Sequence, residues 1–246
     1  MPVFFITADQ IHEQTITIAG PLLEHLRASL RVRTGERIWV GDEHRQRTLM
    51  EVTHIDRRTL RGTVIERRTG PDPTTPRLLI GQAILKGERM DWAIQKATEL
   101  GVASIIPLVS EQTIVRPKQG RVGPQQERWQ RIAIEAAQQS ERWDAPTIGA
   151  PRTAMEFFAT PVQAELKLIL SERGTGQSLS AVTLPSSPTQ TITLAIGPEG
   201  GWRDEELAQA DANGFLPVTL GARILRAETA ALSAVSILQS RLGELG

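Results

Sequence analysis

The sequence predicts an α/β protein with two domains, a small β-barrel followed by an open, mostly parallel sheet. Up to about residue 68, apolar and polar residues alternate with a period of two, which is the pattern of half-buried strands. The segment 69–76 then contains three prolines and one glycine, the composition of a stiff linker. Beyond it, continuously apolar runs alternate with stretches of helical spacing, as expected of parallel strands joined by helices. We therefore assign residues 1–70 to a β-barrel, residues 71–76 to a linker and residues 77–246 to the α/β domain.

Within the first domain, the alternation predicts five short strands and one helix. Turn signals such as Gly35-Glu36 and Gly41-Asp42 separate the strands. The helix covers residues 21–30, where a proline occupies the first turn. The predicted strands cover residues 3–6, 15–18, 37–40, 48–55 and 59–66.

Within the second domain, apolar side chains recur at helical spacing from Met90 to Leu100, from Trp129 to Ala136 and from Leu232 to Leu242. These three stretches predict helices. The stretch from Gly174 to Gln190 is rich in Ser, Thr, Pro and Gly, and it predicts a mobile surface loop. Buried parallel strands are predicted at residues 78–85, 103–109, 166–170, 191–197 and 217–221.

The composition is ordinary for a packed, water-soluble protein, with 40% hydrophobic and 23% charged residues among 246. It excludes disordered, collagen-like and membrane-spanning classes, since no apolar run approaches the roughly 18 residues that a membrane span requires. The N-terminus has neither a basic flank nor a small-residue cleavage site, so we expect a cytoplasmic protein. The absence of cysteine excludes disulfides, thiolate nucleophiles, iron–sulfur clusters and cysteine-ligated zinc.

Arginine is concentrated in the first domain. Residues 1–70 contain eleven arginines, no lysine and nine acidic residues, whereas the whole chain has a net charge of zero. Because the planar guanidinium matches phosphates and base edges, this concentration indicates contact with nucleic acid. The candidates are Arg27, Arg31, Arg33 and Arg37. The alternative is that the arginines form the solvated surface of a barrel.

The most distinctive motif is LAIGPEGGWRDEEL at residues 194–207. An apolar strand runs into a loop from Gly197 to Gly201, and three acidic residues at 204–206 then occupy the first turn of a predicted helix. Glycines let the backbone approach a ligand, and α/β sheets bind ligands at the carboxyl ends of their strands. The loop is neither a Walker loop nor a GxGxxG motif, and the acidic turn argues against bound phosphate. The alternative is a tight turn without a ligand.

A second glycine-bearing loop follows another apolar strand, within LGARILRAETAALSAV at residues 220–235. Arg226 precedes Glu228 and Thr229, which begin a predicted alanine-rich helix. A charged cluster in apolar surroundings is typical of catalytic sites. The alternative is that Arg226 forms a structural ion pair with Glu228 or Glu199. We expect the two glycine-bearing loops to follow neighbouring strands.

Two further segments carry polar side chains at predicted helix ends. Lys86 and Arg89 lie near a helix start, and Arg142 follows a helix end together with Gln138 and Gln139. Lys86, Arg89 and Arg142 are candidates for RNA contacts, and the alternative is a solvated helix surface. The second domain contains no histidine, so we predict neither a metal site nor a Ser–His nucleophile there.

Four segments together resemble the ribosomal RNA small subunit methyltransferase E family: ILKGERMDWAIQKATELGV, AIEAAQQSERW, IGPEGGW and LGARILRAETA. The resemblance spans nearly the whole chain, and the last two motifs are specific to that family. It implies the knotted SPOUT class of S-adenosylmethionine-dependent methyltransferases, with a PUA-like N-terminal domain, a deep trefoil knot and a homodimer. The implied reaction is methylation of N3 of one uridine, number 1498 in the family's systematic name, in 16S rRNA of the small ribosomal subunit.

The same resemblance implies that the cofactor pocket uses three strand ends and their loops. Arg226, Glu228 and Thr229 resemble the polar end of the family motif, nearest the reacting methyl group. The sequence departs from the family pattern at Gln112, Glu141 and Arg203. The implied cofactor-binding residues are Leu170, Ser171, Glu172, Gly197, Pro198, Glu199, Gly200, Gly201, Leu220, Gly221, Ile224, Leu225, Ala227 and Thr229.

Uracil N3 carries a proton that must leave during methylation. We therefore expect a cation to stabilise the developing anion and a base to accept the proton. Our hypothesis assigns the first role to Arg226, and the second to a nearby carboxylate or water, with Glu228 the first candidate. Two rival functions are a non-catalytic RNA-binding or ribosome assembly factor and a nucleotide-dependent enzyme. Intact GPEGG and ILRAETA segments count against the first, and the lack of a Lys-Ser/Thr phosphate motif counts against the second.

Overall fold

A computed structural model of the chain describes residues 3–116, 120, 122–160, 164–171 and 176–246. The chain divides into two compact units. The first comprises Met1–Asp72 together with Ala137–Ala145, and the second comprises Pro73–Ala136 together with Pro146–Gly246. A short segment from the middle of the chain therefore belongs to the first unit, and no local sequence pattern indicates this.

The first unit contains a six-stranded sheet with the order β1-β4-β5-β6-β3-β2. Strand β1 pairs with β4 in parallel, and the other neighbours pair antiparallel. A short helix α1 (Pro21–Glu24) continues into a π-helical turn at His25–Ser29, at the place where a helix is predicted. The strands are β1 (Val3–Phe5), β2 (Ile11–His12), β3 (Thr15–Ile18), β4 (Arg37–Gly41), β5 (Gln46–Ile55) and β6 (Leu60–Thr69).

The period of two in the sequence directs alternate side chains of these strands into one core. Ile16 and Ile18 of β3, Val40 of β4 and Met50 of β5 are completely buried. Trp39 lies between two core residues of β4 and is only half-buried, because it points to the opposite face of the sheet. The five predicted strands are confirmed, and only the two-residue strand β2 is additional.

The second unit contains an eight-stranded sheet in which every pairing is parallel. The order is β10-β8-β7-β13-β11-β14-β12, and β9 pairs with β8. This confirms the prediction of an α/β domain with a parallel sheet. The strands are β7 (Arg77–Ala83), β8 (Ser104–Val109), β9 (Thr147–Ile148), β10 (Arg152–Thr153), β11 (Leu166–Leu170), β12 (Gln177–Ser178), β13 (Thr191–Ile196) and β14 (Leu216–Thr219).

Helices cover both faces of this sheet, so each face has its own core. One core includes side chains of α2, α3 and α6, and the other joins Phe157 and Phe158 of α4 to Phe215. Among the described residues, no helix is long and apolar enough to cross a membrane. The helices are α2 (Glu88–Glu99), α3 (Val122–Gln139), α4 (Ala154–Ala159), α5 (Asp204–Ala212) and α6 (Ala227–Leu242).

The prediction of a mobile surface loop from Gly174 to Gln190 is wrong for residues 177–182, whereas residues 183–190 form neither helix nor strand. Residues 174 and 175 lie outside the described residues, but β12 and a 3-10 turn at Leu179–Ala181 follow them. Leu179 is 1% exposed and Val182 is 2% exposed. Arg241 of α6 also donates a hydrogen bond of 2.9 Å to the Leu179 carbonyl. The two apolar side chains hold the segment against the core despite its loop-like composition.

The substitution Phe158→Ala tests the packing behind the sheet. Phe158 is completely buried, and its ring centroid lies 5.1 Å from that of Phe215 and 5.3 Å from that of Trp202. Removing the ring leaves a cavity, so we expect the free energy of unfolding to fall by about 3–5 kcal/mol in urea denaturation. Met155→Ala on the same helix is the control, because Met155 is 40% exposed and should cost less than about 1 kcal/mol. Equal losses in the two variants would contradict the packing.

Candidate active site

Three strand ends form an open cleft in the second unit. Strands β13, β11 and β14 lie side by side, and the chain leaves them at Gly197, Ser171 and Leu220. The prediction that the two glycine-bearing loops follow neighbouring strands is wrong, because β11 lies between β13 and β14. Between two parallel strands the chain must cross back to the opposite edge of the sheet. Strands that follow one another in the sequence are therefore not always neighbours in the sheet.

We name this opening the strand-end cleft. Its walls consist mostly of aliphatic side chains and of glycine backbone. Ile224 is 82% exposed, so its side chain is available to a ligand. The lining residues are Leu170, Ser171, Ile196, Gly197, Leu220, Gly221, Arg223, Ile224, Leu225, Ala227 and Ala230.

Eight of the predicted cofactor-binding residues line the cleft. They are Leu170, Ser171, Gly197, Leu220, Gly221, Ile224, Leu225 and Ala227. Pro198, Glu199, Gly200, Gly201 and Thr229 are described but do not line it, and Glu172 lies outside the described residues. Ile196, Arg223 and Ala230 also line the cleft, although they are not among the predicted cofactor-binding residues. Ala230 follows Ala227 by one helical turn, a spacing that could have revealed it.

The loop after β13 is closed back onto β11 by Trp202. The indole Nε1 of Trp202 donates a hydrogen bond of 3.1 Å to the Leu170 carbonyl. A Cβ at position 197 would lie 3.1 Å from that same nitrogen, so glycine at 197 leaves room for the indole. The turn closes with a 3.0 Å hydrogen bond from the Gly201 amide to the Pro198 carbonyl, and Gly201 has a φ of +76° that favours glycine.

Glu206 fixes the helix that follows this loop. Its carboxylate is 1% exposed and accepts three hydrogen bonds, from the Ser110 hydroxyl (2.9 Å), the Glu111 amide (3.1 Å) and the Arg203 amide (2.9 Å). The predicted acidic helix start is confirmed, and one of its three acids is a buried anchor. Arg203 contributes its backbone amide to this anchor. Helix α5 is thereby tied to the segment that follows β8.

The loop also forms one ion pair. Arg89 Nη1 lies 2.7 Å from Glu199 Oε1, although both side chains are partly exposed. The alternative in which Arg226 pairs with Glu199 is therefore wrong, and among the described residues Arg226 forms no ion pair. Gly200 approaches Gln112 closely, since a Cβ at 200 would lie 3.1 Å from the Gln112 Cβ. The family departure at Gln112 thus lies against the loop.

Arg226 and Glu228 flank Ala227 at the start of α6, next to the strand-end cleft. Arg226 is exposed and caps the helix without a side-chain hydrogen bond. The first-turn amides leave a partial positive charge there, which favours an anion. Glu228 is 8% exposed, and its buried Oε2 has no hydrogen-bond partner among the described residues. The site therefore offers a cation, a helix N-terminus and an unsatisfied carboxylate.

The predicted RNA contacts fall into two groups. Arg27, Arg31 and Arg33 are exposed, as is Arg37, which lies 3.3 Å from Glu51. Arg89 and Arg142 already form ion pairs. Arg89 pairs with Glu199, and Arg142 lies 3.0 Å from Asp144 with its side chain 13% exposed. Lys86 is exposed at the end of β7. Within the described residues, no group of three or more His, Asp or Glu side chains could hold a metal ion.

Comparisons with known proteins agree with this geometry. A family model described as an RNA methyltransferase domain matches residues 72–239. The chain is 36% identical over 241 residues to the ribosomal RNA small subunit methyltransferase E of Synechocystis, covering 96% of this chain and 77% of the relative.

Two solved structures have the same fold. One is a methyltransferase from Legionella pneumophila in complex with the cofactor SAM, with a TM-score of 0.86, 28% identity and 97% coverage of both chains. The other is a ribosomal RNA small subunit methyltransferase E from Neisseria gonorrhoeae bound to S-adenosyl methionine, with a TM-score of 0.84, 33% identity and 98% coverage of both chains.

The substitution Glu206→Ala tests the anchor below the cleft. It leaves three donors without their acceptor, so we expect the free energy of unfolding to fall by at least about 2 kcal/mol. Hydrogen–deuterium exchange at the Glu111 and Arg203 amides should accelerate. The matched control is Glu205→Ala, because Glu205 is exposed in the same turn. Unchanged exchange at both amides would show that the anchor does not hold the loop.

Proposed function

The chain belongs to the ribosomal RNA small subunit methyltransferase E family, and on this basis we propose that it methylates N3 of uridine 1498 in 16S rRNA. It is an S-adenosylmethionine-dependent methyltransferase, and rRNA is its class of substrate. The observation that carries the proposal is the strand-end cleft, where an aliphatic pocket adjoins an exposed arginine and a buried, unpartnered glutamate.

The residues of the strand-end cleft fit S-adenosylmethionine. An adenine ring needs an apolar slot with backbone groups at its edge, and Leu170, Leu220 and Leu225 line such a slot. Gly197 and Gly221 bring backbone to the same space. We propose that these residues hold the cofactor, while the other predicted loop residues shape the loop. When bound, the cofactor supplies an electrophilic methyl group.

The start of α6 supplies the polar groups that uracil methylation needs. As the N3 proton leaves, negative charge spreads onto the uracil oxygens. We propose that Arg226 stabilises this charge, aided by the positive end of the α6 dipole. Glu228 is the proposed acceptor of the proton, directly or through a water molecule, because its Oε2 has no hydrogen-bond partner in the described part of the chain. Both side chains flank Ala227 of the cleft wall.

The substrate must present an accessible N3 edge. In a base pair this edge is occupied, so the target uridine is unpaired or turned out of its stack. We therefore propose that a small ribosomal subunit, rather than short naked RNA, is the substrate, and that the protein acts in the cytoplasm. We also propose a PUA-like RNA-binding role for the first unit, a trefoil knot in the second and a homodimer. These three proposals rest on the family resemblance.

Mass spectrometry of RNA tests the reaction directly. Unmodified small subunits are incubated with the purified protein and S-adenosylmethionine, and the 16S rRNA is then digested. We expect a single N3-methyluridine at the proposed position. If the cofactor binds but no RNA is methylated, the target assignment is wrong. If the protein binds RNA but neither binds S-adenosylmethionine nor methylates RNA, the result favours a non-catalytic RNA-binding factor.

The substitution Arg226→Ala should remove charge stabilisation while the cofactor pocket stays intact. We expect single-turnover methyl transfer to slow by at least about 100-fold. The Kd for S-adenosylmethionine, measured by calorimetry, should stay within about tenfold. Arg131→Ala is the control, because Arg131 is exposed on α3 and does not line the strand-end cleft. A fully active Arg226→Ala enzyme would refute the assignment.

The triple substitution Arg31→Gln, Arg33→Gln and Arg37→Gln tests RNA binding by the first unit. Each lost phosphate contact flattens the dependence of log K on log salt by about 0.7–0.9, so we expect a total change of about 2. Affinity for S-adenosylmethionine should not change. The double variant Arg131→Gln, Arg152→Gln removes exposed charge from the second unit and serves as the control. An unaltered salt slope in the triple variant would contradict the prediction.

A further inference from the structure

The first unit contains a second cleft, which the proposed reaction does not use. We name it the tryptophan cleft, after Trp39 and Trp143, which line it together with Arg47 and Arg68. All of its lining residues belong to the first unit, and its volume is about 430 Å³. None of the predicted RNA-binding or cofactor-binding residues lines it.

The strand pattern places Trp39 on the outer face of the sheet. Its neighbours Ile38 and Val40 are buried in the core, so Trp39 points away from the core. Val3 of β1 is its partner in register and lines the same cleft. Trp143 enters from the segment Ala137–Ala145. Its ring rests on the backbone of Gly70, where a Cβ would lie 2.9 Å from the indole.

Each tryptophan is covered by an arginine. The Arg68 guanidinium carbon lies 4.7 Å from the centroid of Trp39, and that of Arg47 lies 4.0 Å from the centroid of Trp143. These are cation–π distances. Arg47 and Arg68 are also direct partners across the β5–β6 ladder. Arg68 also donates a hydrogen bond of 2.6 Å to the Glu66 carboxylate, so part of its charge is compensated within β6.

The charge of Arg47 is only partly compensated within the fold. Its Nη2 donates to the backbone carbonyls of Glu141 (2.7 Å) and Arg142 (3.1 Å). Its Nε is buried and has no hydrogen-bond partner among the described residues. Burial lowers the pKa of Arg47, Glu141 opposes this shift, and Arg68 adds to it. An anionic group in the cleft would relieve the repulsion between the two arginines.

The rest of the cleft wall suits a planar polar ligand. Gln138 and Gln139 line the cleft, and their amides offer both hydrogen-bond donors and acceptors. Glu141 lines it too, with its carboxylate exposed. Unpaired bases are recognised by this combination of aromatic rings, guanidinium planes and amides.

We propose that the tryptophan cleft binds one unpaired nucleotide of the RNA substrate, at a site separate from the methylated uridine. The base lies against the surface that Trp39 and Trp143 form with the arginines that cover them, the glutamine amides contact its edge, and Arg47 and Arg68 bind the adjacent phosphate. This inference rests on the proposed function, because that function makes RNA the substrate. A contact that only held Ala137–Ala145 in place would require Arg47, but neither an open cleft nor Arg68 over Trp39.

Fluorescence anisotropy with a labelled, single-stranded RNA dodecamer tests the proposal. The full-length protein is titrated with this RNA and with the same sequence in a duplex. We expect the single strand to bind more tightly, and Trp39→Leu and Arg68→Gln each to weaken its binding about 5- to 100-fold. Trp39→Phe keeps a stacking surface and should restore most of the affinity.

Arg61→Gln is the matched control. Arg61 lies on β6, as Arg68 does, and is exposed outside the cleft, so we expect its affinity to stay within about twofold of the wild type. A direct readout is the indole region of an NMR spectrum, where the chain contributes five tryptophan signals. The Trp39 and Trp143 signals should shift on addition of the dodecamer, and the other three should not.

The outcomes separate this inference from the proposed function. If the wild type methylates small subunits but the cleft variants bind single-stranded RNA as tightly as it does, the cleft proposal is wrong. Indole signals that do not move would also overturn it. If cleft variants lose RNA affinity while no methylation is detected, the cleft is supported and the proposed reaction fails.

Discussion

The walls of the strand-end cleft depend on one hydrogen bond, which the indole N–H of Trp202 donates to the Leu170 carbonyl. Glycine at position 197 leaves the room that the indole needs for this contact. It joins the loop after β13 to the end of β11, two adjacent strands of the parallel sheet. The indole is supported from behind by Phe158, which belongs to the core on one face of the sheet. The shape of the cleft is therefore determined by aromatic packing below the loop as well as by the loop itself.

Two buried glutamates at helix starts show how the same residue type serves stability or chemistry. Glu206 of α5 accepts three hydrogen bonds, so its charge is fully used in holding the loop. Glu228 of α6 has a buried oxygen without a partner among the described residues. A buried oxygen without a hydrogen bond does not stabilise the folded state, and buried polar groups of this kind are often found at functional sites. This contrast is why the proposed chemistry is assigned to α6.

The arginines of the first unit also divide by their surroundings. Arg45 and Arg47 contact the segment Ala137–Ala145, where Arg45 lies 3.3 Å from Asp144 and Arg47 covers Trp143. Arg27, Arg31 and Arg33 are exposed and form no ion pair among the described residues. The second group is free to meet phosphates, whereas the first builds the surface on which the tryptophan cleft lies. The composition shows only that the domain is rich in arginine, and it does not distinguish arginines available to phosphates from those that contact Ala137–Ala145.

Local patterns of residues were enough to predict several elements of the protein. Alternation along residues 15–18 and 37–40 identified β3 and β4, and the acidic turn at 204–206 identified the start of α5, because such patterns report which face of an element is buried. The motifs identified the family and most of the cleft wall. Three other features could not be predicted from local patterns: β11 separates β13 from β14, Leu179 is buried, and Trp143 packs on Gly70. These features depend on contacts between residues far apart in the chain, and a local pattern records that a side chain is buried without recording its partner.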